Sequence, residues 1–138
     1  MSANRIQIQT LALPKCFHIT LDGVVNPADV VKRIAESYAE VDEPWQYDQL
    51  CDIRGMINVF SREDFAAISK IWTNVAANYR LLRVAIVTTD PFRMERKKDF
   101  AALFTNITAH IFPTVDAAFE WLSSDATTPA AITAGTGR

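Results

Sequence analysis

The sequence predicts a single α/β domain: a mainly parallel sheet with one antiparallel N-terminal strand and helices packed on it. Three observations predict this class. Residues 82–88 (LRVAIVT) form an apolar, β-branched run broken only by Arg83, as in a parallel strand covered on both faces. Residues 62–78 place Phe65, Ile68, Ile71, Trp72 and Val75 three or four positions apart, which makes one buried helical stripe. Strand and helix patterns then alternate in the order ββαβαβαβα, as expected when crossover helices join parallel strands.

Each element has its own justification. In residues 5–12, Ile6 and Ile8 alternate with Gln7 and Gln9, the period of a strand with one wet face. Pro14 interrupts the pattern. Residues 16–25 form a second strand, with Phe17, Ile19 and Leu21 alternating with His18, Thr20 and Asp22. So short a connection predicts an antiparallel pair. Asn26 caps a helix whose first turn holds Pro27, and Val30, Val31, Ile34 and Tyr38 form its inner face. A strand over 47–53 leads to a turn at Gly55, and Ser61 caps the helix 62–78, with Asp64 placed to complete a capping box. Asp90 and Pro91 open a third helix that turns Phe100, Leu103 and Phe104 inward. Residues 109–112 form a short strand, and Thr114 caps a last helix carrying Ala118, Phe119 and Leu122. The domain therefore spans 5–122, and residues 123–138, rich in Ser, Thr, Ala and Gly, are predicted to be a disordered tail.

At 138 residues the chain is long enough to bury one core, and 49% hydrophobic with 22% charged residues is ordinary for a soluble protein. A net charge of −2 gives no reason to expect nucleic acid or an anionic membrane as partner. Residues 1–9 contain no apolar run of the secretory kind, and the apolar stretch 81–87 is too short to span a bilayer, so a cytoplasmic location is expected. Cys16 and Cys51 fall in separate strands; in a reducing compartment they read as buried small apolar residues, with a disulfide as the alternative. The two imidazoles, His18 and His110, lack metal-ligand spacing, and no metal or cofactor is expected. There is no nucleophile triad or paired-carboxylate spacing, and two of the four glycines lie in the tail, so no glycine-rich phosphate loop is expected.

Three segments carry a family resemblance: residues 50–55 (LCDIRG), 83–89 (RVAIVTT) and 111–122 (IFPTVDAAFEWL). In this order and spacing they resemble the STAS domain, and within it the SpoIIAA-like group, over about residues 17–122. In the anti-sigma-factor antagonists of that family, a serine at the start of the second helix is phosphorylated within an Asp-Ser-Ser-Gly motif. The resemblance carries that position onto Ser61. The motif itself is absent, because Phe60 precedes Ser61 while Arg62 and Glu63 follow it. Glu63 and Asp64 would also repel a phosphate there.

The candidate site gathers at the carboxyl ends of the strands, where open α/β sheets bind ligands. Asp52 and Arg54 form a polar lip on a ligand cleft, or Asp52 bonds to loop amides while Arg54 pairs nearby or is solvated. Ser61 stands where an anion would meet a helix N-terminus, or is simply a cap. Phe60 and Phe92, both in turns at that edge, frame the mouth of an apolar pocket. Arg93, Arg96, Lys97 and Lys98 crowd the first turns of the third helix beside Thr88, Thr89 and Asp90, against the helix dipole. They form a patch for an anionic ligand or an acidic partner, or a solvated face. The favoured reading is a non-enzymatic regulatory or protein-binding module. The alternative is a carrier or sensor of a small apolar or lipid-like ligand in the cleft of Phe60, Phe92, Arg54 and the basic start of the third helix, by analogy with the related CRAL-TRIO lipid-transfer fold. The first strand is also a candidate edge for a homodimer.

Overall fold

The structure, a computed structural model, describes residues 5–76, 81–90 and 107–124. The alternating N-terminal segments fold as β1 (Ile6–Ala12) and β2 (Lys15–Gly23), paired antiparallel with Ile6 opposite Leu21 and Ala12 opposite Lys15. Parallel strands β3 (Asp48–Met56), β4 (Leu82–Val87) and β5 (Ile107–Phe112) follow, and the sheet order is β1-β2-β3-β4-β5. Three α-helices lie among the described residues: α1 (Pro27–Ala39), α2 (Arg62–Ala76) and α3 (Val115–Ser123). None is long and apolar enough to cross a membrane.

The expected caps are made. Asn26 accepts a bond from the Ala28 amide at 2.9 Å, with Pro27 in the first turn, and the Thr114 hydroxyl accepts from Ala117 at 3.1 Å. Helices α1 and α2 bury Val30, Ile34, Tyr38, Ile68 and Trp72 on one face of the sheet, against Phe17, Ile19 and Val84. Helix α3 buries Ala118, Trp121 and Leu122 on the other face, against Cys16, Leu50, Val87 and Phe112. Each fully buried large side chain of this kind contributes about 1.5–3 kcal/mol.

The strand order bears on function. From β2 to β5 the chain always steps to the same side, so right-handed crossovers place α1 and α2 on one face. Ligand crevices in open α/β sheets arise where the strand order reverses. The described strands contain no reversal.

Several boundaries differ from expectation. The chain does not turn at Gly55; β3 continues to Met56, paired with β2 through a register shift between Thr20 and Asp22. Gly55 sits directly opposite Asp22, where a Cβ would press on the Asp22 carboxylate. β2 ends at Gly23 rather than at residue 25, because Gly23 adopts φ +73°, a left-handed conformation that costs glycine little. β5 starts at Ile107, and α3 runs to Ser123 with Ser124 as its cap, two residues past the expected domain end. The third predicted helix, the last residues of the second and the predicted tail from 125 onward lie outside the described residues.

Arg83, which interrupts an otherwise apolar strand, is only 9% exposed. Its guanidinium donates to the Trp121 and Leu122 carbonyls at 2.9 and 2.8 Å and reaches the Asp48 carboxylate at 3.5 Å. It also lies over the Trp121 ring, 5.4 Å from the centroid. The side chain thus closes the C-terminus of α3, where carbonyls lack helical partners and a cation suits the dipole.

Both cysteines are free thiols. Cys16 packs with the α3 side of the sheet and Cys51 with the α1/α2 side, so no bridge joins them. Burial pushes each thiol up to about 12, with Asp48 adding to the rise at Cys16 and Asp52 at Cys51.

Candidate functional site

Asp52 and Arg54 occupy alternate positions of β3 and therefore project from the same face of the sheet. They form a closed pair. The Asp52 carboxylate accepts from Arg54 Nε at 2.9 Å, from Nη2 at 2.7 Å and from the Arg54 backbone amide at 3.1 Å. Burial alone would push the Asp52 carboxyl up, but the bonds and charge of Arg54 outweigh it and hold the group below the ordinary carboxylate range. The same pairing raises the Arg54 guanidinium.

Around the pair runs a shallow cleft of about 360 Å³, lined by Gln7, Thr20, Asp22, Asp52, Arg54 and Gly55 among others. Two carboxylates face one guanidinium that is already engaged. This lining suits neither an apolar ligand, which needs apolar walls, nor an anion. His18 lies on the same face of β2, two residues from Thr20, with its ring edge-on to Phe119 at 5.6 Å. Burial pulls its imidazole down, Asp52 opposes the fall and Arg54 adds to it, so the neutral ring is favoured. Its Nε2 is buried and makes no hydrogen bond. Among the described residues no group of His, Cys, Asp and Glu is arranged to hold a metal ion.

A different feature occupies the carboxyl edge proper. Beyond the last pairing of β2 with β3, the Ile57 amide donates to the Gly23 carbonyl at 2.7 Å, which holds the two exit loops side by side. Asn58 then clamps them: its Oδ1 accepts from the Val25 amide at 2.9 Å and its Nδ2 donates to the Val25 carbonyl at 2.8 Å. The clamped loops carry Val24, Ile57 and Val59, which are 60, 71 and 45% exposed. Three branched apolar side chains thus stand in water on backbone fixed by hydrogen bonds. Isolated exposed apolar residues are ordinary; three on adjoining loops make a candidate contact surface.

The next residues enter α2. Ser61 Oγ accepts from the Asp64 amide at 3.1 Å, and the Asp64 carboxylate accepts from the Ser61 amide at 2.8 Å, a reciprocal capping box with Asp in the usual place of Glu. Such a cap is worth about 1 kcal/mol. Phe60 does not frame a pocket mouth. It is 3% exposed and packs into the core beside Phe65, with ring centroids 5.9 Å apart. Thr89 is exposed just past β4, while Thr88 is buried and its hydroxyl accepts from the Asp90 amide at 3.2 Å. Phe92, Arg93, Arg96, Lys97 and Lys98 lie outside the described residues. The structure therefore brings Asp52 and Arg54 together at the cleft and sets Ser61 just beyond the clamped loops. Sequence reasoning missed the Asn58 clamp and the apolar lip. The available signal was Val24, an apolar residue on the wet face of the predicted strand 16–25, together with Ile57 and Val59 outside any predicted element.

No protein-family model matches the chain, and no curated protein matches it. A solved structure does: the crystal structure of an uncharacterised protein from Shewanella loihica PV-4, of the DUF3478 family and described as having a SpoIIAA-like fold. The two share 18% sequence identity with a TM-score of 0.58, over 85% of this chain and 91% of that one. At this identity the likeness concerns the fold. One antiparallel strand followed by four parallel ones, with helices on both faces, is the SpoIIAA-like fold.

Proposed function

We propose that this domain is a non-enzymatic, STAS-like protein-binding module that docks a partner on the apolar lip of Val24, Ile57 and Val59. The observation that carries this reading is that the lip is exposed and at the same time held rigid by the Asn58 clamp. A preformed apolar surface loses little entropy on binding, which favours affinity. The neighbouring polar groups support the non-enzymatic part. Asp52 is held by three bonds from Arg54, and Ser61 Oγ accepts from its own helix. The two thiols are pushed far from their reactive form.

The lip can be removed without touching the core. A chain carrying both Val24→Asp and Ile57→Asp is compared with wild type and with Leu81→Asp, an exposed position at the opposite end of the sheet. Quantitative affinity capture from the native host is expected to retain one protein with wild type and with Leu81→Asp. The double variant should lose it by about tenfold or more, since central apolar contacts dominate interfaces. The same proteins captured equally by all three chains would overturn the reading.

A further inference from the structure

We propose that β1 is a self-complementary edge that pairs antiparallel with β1 of a second copy, with the two-fold axis passing Thr10. Among the described residues β1 has a neighbour on one side only. The Asp22 amide donates to the Arg5 carbonyl at 2.9 Å, which identifies residues 5 and 22 as a hydrogen-bonded pair. Antiparallel pairs alternate, so Gln7, Gln9 and Leu11 turn their backbone groups toward β2. Ile6, Ile8, Thr10 and Ala12 turn theirs outward.

Such an edge invites pairing, and natural proteins blunt it with Lys, Pro or bulges. β1 reads IQIQTLA and carries no charge, proline or bulge. One outward group is already used: Arg33 Nη1 donates to the Ile6 carbonyl at 3.0 Å. The free edge therefore runs from Ile8 to Ala12, and its centre is Thr10.

This placement selects the register. With the axis at Thr10, Thr10 faces Thr10 of the second copy and Ile8 faces Ala12, three pairs in all, each exchanging two hydrogen bonds. Thr–Thr pairs are favourable across antiparallel strands, and no like charges meet. A register centred on Gln9 would instead pair Ile6 with Ala12 and compete with Arg33. Leu13, 93% exposed at the end of the edge, offers the second copy an apolar side chain to cover. The occupant is thus another copy of this chain, joined through the closed, isologous contact typical of two-fold dimers.

The test is the mass in solution of the full chain across a concentration series, by sedimentation or light scattering. Wild type is expected to dimerise reversibly. The variant Thr10→Pro should be monomeric with an unchanged circular dichroism spectrum, because the lost amide faces outward and proline is tolerated on a strand edge. Losing two of the six bonds should weaken the dimer at least about tenfold. If Thr10→Pro misfolds, Thr10→Lys decides, since it sets two charges against each other at the axis. Under mild oxidation, Thr10→Cys should cross-link into a dimer and Gln9→Cys should not. A wild type that stays monomeric, a dimer indifferent to Thr10→Pro and Thr10→Lys, cross-linking at Gln9 instead of Thr10, or open-ended oligomers would each overturn the proposal.

Discussion

Replacing Arg83 by methionine is expected to destabilise the domain by about 3–5 kcal/mol, the usual cost of removing one partner from a buried charged network. Methionine keeps the apolar stem but leaves the Asp48 carboxylate, itself 4% exposed, without the guanidinium beside it. It also strands the Leu122 carbonyl at the end of α3 and takes one donor from the Trp121 carbonyl, which keeps the amide and hydroxyl of Ser124. In a domain of this size the loss should lower the melting temperature by about 10 °C or more. A double-mutant cycle with Asp48→Asn separates the two contributions. If the ion pair matters, the double variant costs less than the sum of the singles; if Arg83 acts only through α3, the losses add. Thermal melts that place Arg83→Met within about 1 kcal/mol of wild type would contradict the structure at this point.

The second large effect is expected at Asn58. Replacing it by alanine removes two hydrogen bonds and leaves the amide and carbonyl of Val25 unpaired, although Val25 itself is buried. Unsatisfied buried groups cost about 1–3 kcal/mol each, and since the pair is only partly buried the expected loss is about 2 kcal/mol in all. The structural consequence is more telling than the energy. Without the clamp the β2 and β3 exit loops are joined by the Ile57–Gly23 bond, so the lip should become mobile while the sheet stays intact. Hydrogen exchange should show the Val25 amide losing protection in Asn58→Ala, with amides in the middle of β3 unchanged. Equal protection of Val25 in both proteins would show that the clamp does not hold the lip.

The parts of the fold legible in the sequence were those with a local cause. The alternation of Ile6 and Ile8 with glutamines, the Asn26 and Thr114 caps and the Phe65–Val75 stripe each act within a few residues, and each element formed. The Ser61–Asp64 box was readable for the same reason: its two bonds close within three residues. What was not legible depends on residues far apart in the chain. Gly55 resembled a turn because glycine permits one, yet Asp22, thirty-three residues earlier, pairs with it and keeps it in a strand. Arg83 read as a break in an apolar run because its acceptors lie 35 to 39 residues away. Phe60 read as a pocket residue because it stands outside a regular element, and only the packing of α2 turns it inward. That Asp52 and Arg54 share one side of a strand was legible because they are two residues apart; that the carboxylate takes Arg54 itself as its partner was not. The Asn58 clamp spans 33 residues and was not foreseen.

The ligand reading rested on a crevice at the carboxyl ends of the strands. The described strands never reverse order, and the cleft beside Asp52 is polar. The same edge instead presents exposed apolar side chains on clamped loops, which favours the protein-binding reading over the small-ligand alternative. Site-specific photo-cross-linking in living cells tests this most directly, with the reactive side chain placed at Ile57 in one strain and at Leu81 in another. A discrete, heavier adduct is expected from Ile57 and none from Leu81; no adduct from Ile57, or equal adducts from both positions, would contradict a docking surface at the lip.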